Sequence, residues 1–430
     1  MSTLTLKGLT SGSSVLKAPD SGSNEVTFTM PASTGTLLTT DGSAANLTSI
    51  PAANITGTLP AISATNLTAI PAANITGTLP AISGANLTNL PSKGKNLIIN
   101  GAMNIDQRSS GASTTVTGNS YVTCDRWITW ASASSKYSVS QSSTAPIGFN
   151  NSLLFTSLSA YTPLASDYFY LSQQIEGFNF AHAQWGTTNA KTITISFWVR
   201  SSLTGTFGGG LENSGGNRSY PFTYTISSAD TWEQKTITVA GDTTGTWIGA
   251  TNGNGVTLWF GIGTGSDRQG TPNSWQAGNY PMPTGSTNVV ATNAATLHIT
   301  GIKLEVGTAA TDFEHRSYGE ELALCQRYCY KTATGVGNSM YGIGFVNTAS
   351  SAHIVLQFPV PMRASPSFTA SGSYAILHNQ TAITVTLTAQ KMTTDFTRVD
   401  ATGSGFTVNG AFSLRNANST TAYLLLDAEL

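Results

Sequence analysis

Charged residues are scarce in this chain. Lysine and arginine number 20 and the acidic residues 21, which together make 10% of the 430 residues and leave a net charge of −1. The basic residues form no larger groups than isolated pairs, whereas a protein that neutralises nucleic-acid phosphates needs clusters of them. We therefore expect no nucleic-acid partner, and a partner that is neutral or weakly charged.

Long apolar runs are also missing. No run approaches the roughly 20 residues that cross a bilayer, and the segment from Met1 to Lys17 lacks the basic-then-apolar plan of a signal peptide. These absences predict no membrane insertion and folding in a cytoplasm. The three cysteines, Cys124, Cys325 and Cys329, are odd in number and have no metal-ligand spacing, so we expect reduced, packed thiols and no metal site.

Catalytic motifs are absent as well. The chain has no GxSxG, no P-loop and no HExxH, and its five histidines are scattered. Enzymes that cut polysaccharides use a pair of carboxylates, but no such pair stands out among the acidic residues. We expect no catalytic residue, no cofactor and no enzymatic activity.

A tandem repeat occupies residues 43–92. Its first two units are SAANLTSIPAANITGTLPAI and SATNLTAIPAANITGTLPAI, which match at 18 of 20 positions, and a truncated unit, SGANLTNLPS, follows. The prolines recur too often for a helix, whereas Thr, Asn and branched aliphatic residues between them favour short extended segments joined by turns.

The repeat carries twelve Leu or Ile side chains and no charge between Asp41 and Lys93. A single narrow ribbon cannot bury these side chains on itself, and each contributes about 1.5 to 3 kcal/mol when fully buried. The pattern therefore predicts an intertwined β shaft made of several copies of the chain, three in the preferred interpretation. A disordered linker is the alternative, although disorder usually comes with charge and low hydrophobicity.

Alternating segments at Thr3–Leu6 and Glu25–Met30, followed by Pro31 and a turn at Asp41-Gly42, predict a small β module over residues 1–42. Its later part reads LKAPDSGSNEVTFTMPASTGTLLTTDG. Together with the ANLT and GTLPAIS repeats it resembles the opening of tailed-bacteriophage tail fibre proteins. That resemblance implies that this end is attached to a tail or baseplate protein of the virion.

Aromatic residues return after residue 93. The motifs NLIINGAMNIDQR (Asn96 to Arg108) and CDRW (Cys124 to Trp127) resemble the start of a phage-fibre jelly roll that is similar to carbohydrate-binding modules. Alternating apolar residues in Ile193–Val199 and Val256–Ile262 each predict a strand with one apolar face. We assign a jelly-roll β-sandwich to residues 93–316, with a closing strand at Leu297–Val306.

Ser317 and Glu320 form a capping box, which predicts a short connecting helix over residues 317–330. Its stripe of Tyr318, Leu322, Cys325 and Cys329 could pack on the jelly roll or, in the preferred alternative, meet its copies at a symmetry axis. The stretch from Leu304 to Tyr330 closely resembles a segment between two domains of phage fibres. Residues 331–430 contain five or six alternating segments and predict a smaller β-sandwich at the tip of the fibre. The fold class is thus all-β.

Sugar binding requires aromatic faces and a few fixed polar groups. The alternation places Trp198 and Trp259 on the outer faces of their strands, with Arg200 near the first, and turn-rich loops carry Trp247, Trp275 and Tyr280. These six residues are the candidate glycan face, although packing against a neighbouring chain or loop is the more common fate of such tryptophans. In the terminal unit the receptor candidates are Tyr341, Tyr374, His378 and Phe396.

The repeat predicts a homotrimer, and the resemblance implies a tail fibre in the virion, assembled in the host cytoplasm, whose distal end binds a bacterial surface glycan such as lipopolysaccharide or capsule. Two alternatives stay open from the sequence. One is a tail spike that depolymerises polysaccharide, and the other is a structural connector whose jelly roll binds only another tail protein.

Overall fold

The computed structural model describes residues 4–7, 13–16, 95–333 and 335–430. Most of its regular structure is β, which confirms the predicted fold class. The chain divides into two units, Met1–Ala85 and Asn86–Leu430. The predicted shaft at 43–92 and most of the predicted module at 1–42 lie outside the described residues. In the first unit, β1 (Leu4–Lys7) and β2 (Ser13–Leu16) form an antiparallel pair.

The jelly roll contains fourteen strands and the short helix α1 (Gly177–Phe180). The strands are β3 (Thr114–Thr115), β4 (Ile128–Ala131), β5 (Tyr137–Ser142), β6 (Ser152–Ser157), β7 (Tyr168–Glu176), β8 (Ile193–Ser201), β9 (Gly205–Glu212), β10 (Arg218–Ile226), β11 (Glu233–Val239), β12 (Asn254–Thr264), β13 (Gln269–Gly270), β14 (Gln276–Ala277), β15 (Met282–Pro283) and β16 (Thr296–Val306). The strands predicted at Ile193–Val199, Val256–Ile262 and Leu297–Val306 are confirmed as β8, β12 and β16.

Two six-stranded sheets form the sandwich. Sheet 1 has the order β14-β10-β9-β12-β7-β4, and sheet 2 has the order β11-β8-β16-β6-β5-β3. Alternate side chains of both sheets point inward and are buried, among them Phe197 of β8 and Phe260 of β12, whose rings lie 5.0 Å apart. Trp127 is fully buried in the same core. The residues between these inward positions consequently face away from the core on each sheet.

The connecting helix α2 spans Tyr318–Gln326, and its capping box is present: the Ser317 side chain accepts from the Glu320 backbone while the Glu320 carboxylate accepts from Ser317. Leu322 and Cys325 pack with Ile99 and Ile105 of the jelly-roll domain, whereas Tyr318 is exposed. This side of the helix therefore packs on the jelly roll.

The helix is shorter than predicted, and Cys329 does not lie on it. Tyr328 is buried and donates a hydrogen bond from its hydroxyl to Glu176 Oε2 (2.7 Å). The next residue begins a strand that pairs with Tyr423–Asp427. Pairing with a distant strand thus ends the helix, although the local sequence contains no Pro or Gly to stop it.

The C-terminal domain contains nine strands: β17 (Cys329–Ala333), β18 (Met340–Thr348), β19 (Ser351–Gln357), β20 (Ser367–Ser371), β21 (Tyr374–His378), β22 (Thr381–Gln390), β23 (Phe396–Thr402), β24 (Ala411–Asn416) and β25 (Tyr423–Asp427). Six of them close into a barrel in the order β18-β19-β23-β22-β21-β24, and β17-β25-β20 form a separate sheet. The predicted sandwich is corrected to a barrel, because β24 pairs with both β18 and β21 and so closes the sheet on itself.

A group of buried charges, which we call the interdomain clasp, joins the end of β25 to the jelly roll. The Glu429 carboxylate pairs with Arg126 and Arg108, and Asp427 pairs with Arg108 (3.0 Å). The guanidinium of Arg126 also lies 3.5 Å from the ring centre of Tyr328. The carboxylate of Glu429 and the guanidinium of Arg126 are almost fully buried. Either charge alone would be strongly unfavourable in this position, so each stabilises the other.

Candidate functional site

A cavity of about 320 Å³ lies on the outer face of sheet 1, and we call it the Trp259 cavity. It is lined by Trp130, Tyr168, Tyr170, Gln174, Glu212, Asn213, Ser214, Gly215, Gly216, Asn254, Thr257, Trp259, Arg268, Asn279 and Pro281. Its volume is at the lower end of the range for small-ligand sites.

Strand alternation places these side chains outside the core. On β7, Phe169 and Leu171 point into the core, so Tyr168 and Tyr170 face outward. On β12, Leu258 and Phe260 point inward, and Trp259 faces outward between them. The neighbouring strands β4, β7, β12 and β9 thus each contribute outward residues to the same surface.

Aromatic rings form one side of the cavity. The indole of Trp259 lies 5.2 Å from that of Trp130 and 5.5 Å from the ring of Tyr170. Tyr168 stacks on Tyr170 with ring centres 5.6 Å apart and an interplanar angle of 23°. Trp130 is fixed by a hydrogen bond from its Nε1 to Ser172 Oγ (2.8 Å). The rings therefore hold one another in place and present apolar faces to the cavity.

Polar atoms without partners form the other side. Three buried acceptor atoms of cavity residues have no hydrogen-bond partner among the described residues: Glu212 Oε1, Gln174 Oε1 and Asn254 Oδ1. An unpaired buried polar atom costs about 1 to 3 kcal/mol, and native proteins contain few of them. Their concentration in one cavity makes it the candidate ligand site, in which bound water or a ligand would supply the missing hydrogen bonds.

Glu212 is the carboxyl group of this cavity, and it is 4% exposed. Burial raises its pKa to about 7, while a hydrogen bond from the Trp259 side chain and the charge of Arg268 act in the opposite direction. Glu212 can therefore be neutral or charged near neutral pH, and in either state Oε1 can accept a hydrogen bond from a ligand hydroxyl.

The predicted glycan face is divided between the two sides of the sandwich. Trp259 lies in the Trp259 cavity, but Trp198 and Arg200 lie on β8 in sheet 2. Trp198 lines a different cavity beside Phe149 and Phe313. The guanidinium of Arg200 pairs with Asp230 (3.0 Å). The outward direction of both tryptophans was predicted, but the two sheets place them on opposite surfaces.

Trp247 and Trp275 belong to a packed cluster. Each lies within about 5 Å of Trp185, at 4.8 and 5.0 Å between ring centres, and both are partly buried against the main core. The Trp275 Nε1 group donates to the carbonyl of Ala240 (2.8 Å). Tyr280 is half-buried between Asn279 and Pro281, which line the Trp259 cavity. Trp247 and Trp275 thus pack their loops against the core and do not line the Trp259 cavity.

Most of the receptor candidates in the C-terminal domain lie inside it. Tyr374 and His378 are each 2% exposed, and Tyr374 donates from its hydroxyl to the carbonyl of Tyr423 (2.6 Å). Tyr341 is half-buried and donates to the carbonyl of Ala422 (3.0 Å). Phe396 is exposed. The prediction that Tyr374 and His378 face a receptor is therefore wrong, because strand pairing turns both inward.

Sequence reasoning missed most of the Trp259 cavity. Trp130, Tyr168, Tyr170, Gln174, Glu212, Asn254 and Arg268 were not among the candidates. One signal was available: YFYLSQQIE at Tyr168–Glu176 alternates two tyrosines with core residues. Their convergence with Glu212 depends on strand order, which the local pattern does not give.

Membrane-spanning helices and metal-binding groups are both absent from the described part of the chain. Neither of its helices has the length and apolar composition of a bilayer span. Within the same residues, no group of three or more His, Cys, Asp or Glu side chains is arranged to hold a metal ion.

Comparison with known proteins gave structural matches alone. No protein-family model matches the chain, and no curated protein sequence matches it. Similar solved structures include the enzymatically active domain of tailspike protein 4 of bacteriophage CBA120 (10% identity, TM-score 0.26, 49% of this chain and 21% of that one). They also include TmCBM61 in complex with β-1,4-galactotriose (10% identity, TM-score 0.25, 50% and 99%). A sugar-binding protein of Bacteroides thetaiotaomicron, described as putative, is a third (10% identity, TM-score 0.30, 50% and 100%). The match spans about a fifth of the tailspike domain.

Proposed function

We propose that the jelly roll binds a carbohydrate in the Trp259 cavity. The observation that carries this proposal is the set of three unpaired buried acceptor oxygens, on Glu212, Gln174 and Asn254, in a cavity that is also lined by Trp130, Tyr168 and Trp259. A sugar ring has an apolar face that stacks on aromatic side chains, and hydroxyl groups that both donate and accept hydrogen bonds. The cavity presents complementary groups for both.

We further propose that the chain is a phage tail fibre. The repeat at 43–92 and the motifs that resemble fibre proteins support this role. In it, the N-terminal end attaches to a tail or baseplate protein, three copies assemble through the shaft, and the distal domains bind a glycan on the host surface. Three weak sites on one fibre gain avidity without new contacts.

Binding without cleavage is the proposed mode of action. Glycosidases use two carboxyl groups about 5 to 9.5 Å apart, and among the described residues that line the Trp259 cavity Glu212 is the one acidic side chain. Incubation with host lipopolysaccharide and capsule, followed by measurement of released oligosaccharide, tests this point. Release with turnover would establish the depolymerase alternative instead.

A glycan array with two tryptophan variants tests the binding site. Trp259→Ala should abolish binding, because it removes the central aromatic face of the cavity. Trp198→Ala is the matched control, since it removes the same side chain from sheet 2 and should leave binding intact. Circular dichroism and the midpoint of thermal unfolding verify that each variant is folded. Equal binding by folded Trp259→Ala protein would contradict the proposal.

Binding to intact host cells separates the adhesin from a structural connector. The adhesin should bind cells in a manner that depends on Trp259, whereas a connector should not bind them while remaining necessary for particle assembly. Sedimentation equilibrium tests the homotrimer. A purified full chain that sediments as a monomer would contradict the proposed shaft and, with it, the fibre.

A further inference from the structure

Arg268 lines the Trp259 cavity, where its charge acts to lower the pKa of the Glu212 carboxyl group without forming a direct ion pair with it. Its guanidinium lies 5.8 Å from the ring centre of Tyr168. No carboxylate among the described residues forms an ion pair with it, and its side chain makes no hydrogen bond to them. The donors of this guanidinium are therefore available to a ligand in the cavity.

The arginines elsewhere in the jelly roll provide a contrast. Arg200 pairs with Asp230 (3.0 Å), Arg218 pairs with Asp242 (2.7 Å), and Arg126 pairs with Glu429. Arg108 and Arg316 also pair with carboxylates, so every other described arginine of the jelly roll is held by an acidic side chain. Arg268 departs from this pattern at the cavity where the unpaired polar atoms are concentrated.

The backbone holds Arg268 in this place. It ends a 3₁₀ turn at Ser266–Arg268 that directly follows β12. The turn is fixed to the segment before β7 by hydrogen bonds from the Gly265 amide to the Asp167 carbonyl (2.8 Å) and from the Asp267 amide to the Ala165 carbonyl (2.9 Å). A guanidinium held on an ordered turn is preorganised to bind a carboxylate or a phosphate.

The polar groups of the cavity are of two kinds. Glu212, Gln174 and Asn254 each offer an unpaired acceptor oxygen, which suits the hydroxyl donors of a sugar. Arg268 offers donors alone and carries a positive charge, which suits an anion. A ligand that satisfies both kinds carries hydroxyl groups on one part and a negative charge on another.

We infer that the sugar bound in the Trp259 cavity bears an anionic substituent, a carboxylate or a phosphate, that pairs with Arg268 while its hydroxyl groups donate to Glu212, Gln174 and Asn254. This inference rests on the proposed glycan-binding function and specifies its ligand class. A bidentate pair between guanidinium and carboxylate or phosphate is among the strongest hydrogen-bonded contacts in proteins.

The test is a glycan array that contains neutral hexose oligosaccharides, oligosaccharides of hexuronic acids and phosphate-bearing glycans, followed by titration calorimetry of the ligands that bind. The wild-type chain should prefer one anionic class over its neutral counterpart by about tenfold or more. That preference should decrease as salt is raised, because the charge pair is only partly buried. The uronate and phosphate arms decide which anion is recognised.

Arg268→Gln should remove the preference for the anionic ligand and change the affinity for neutral glycans little. Arg200→Gln is the control, since that guanidinium is already paired and lies on sheet 2. If Arg268→Gln leaves the preference unchanged, or if the wild-type chain binds no anionic glycan, the inference is wrong. Loss of neutral glycan binding in Trp259→Ala would then still support the cavity as a glycan site, so the two proposals can fail separately.

Discussion

Gly210 lies directly opposite Trp259 in the ladder between β9 and β12. A β-carbon on Gly210 would come within 2.2 Å of the carbonyl oxygen of Pro281. Since Pro281 lines the Trp259 cavity, the absence of a side chain at Gly210 lets the loop after β14 close over the sheet beside the indole. The shape of the cavity thus depends on a glycine that does not line it.

Gly210→Ala should destabilise the jelly roll and also weaken the proposed glycan binding. The added methyl group meets backbone, which cannot rotate away, and overpacking of this kind typically costs about 1 to 3 kcal/mol. Urea unfolding measures the loss of stability. Gly118→Ala is the control, because a β-carbon there meets no atom within 4 Å, and it should unfold like the wild type. An unchanged unfolding midpoint in Gly210→Ala would show that the Pro281 loop is free to move.

Glu212 should make stability depend on pH in a defined direction. Its ordinary pKa is 4.5, and burial raises the pKa to about 7 in the folded chain. Folding therefore takes up a proton between these values, and the stabilising contribution is fully present below pH 4.5 and is lost as the pH rises through 7. Relative to Glu212→Gln, the wild type should lose up to about 3 kcal/mol between pH 4.5 and 8.

The measurement is the free energy of unfolding of both proteins at several pH values. Other titrating groups, such as Asp125, whose pKa burial raises to about 6, are common to both and cancel in the difference. A difference in stability between wild type and Glu212→Gln that is the same at pH 5 and pH 8 would contradict the prediction.

Breaking the buried ion pair of the interdomain clasp should lower the free energy of unfolding more than breaking an exposed ion pair. Glu429→Gln leaves Arg126 buried without a full counter-charge, and breaking a buried pair in this way costs about 3 to 5 kcal/mol. Asp230→Asn breaks the pair with Arg200, but Asp230 is 57% exposed, and exposed pairs contribute about 1 kcal/mol or less. Chemical denaturation measures the free energy of unfolding of both variants. Similar losses in the two variants would contradict the prediction.

Local sequence patterns were sufficient to predict several of the strands and the start of the connecting helix. Alternation at Ile193–Val199 and Val256–Ile262 predicted β8 and β12, and Ser317 with Glu320 predicted the start of α2. These signals succeed because they depend on neighbours within a few residues. The end of α2 was missed, since Cys329 leaves the helix to pair with β25, about a hundred residues further along the chain.

The sequence by itself determined an all-β chain and the outward direction of Trp198 and Trp259, and it predicts self-association of an uncharged aliphatic repeat. Only the tertiary structure decided that these two tryptophans lie on opposite sheets and that Trp130, Tyr170 and Glu212 join one of them. The physical reason is that the direction of a side chain is set by the period of two within its own strand, whereas its neighbours are set by the order in which distant strands pair. A cavity lined by side chains from four strands therefore cannot be predicted from local patterns alone.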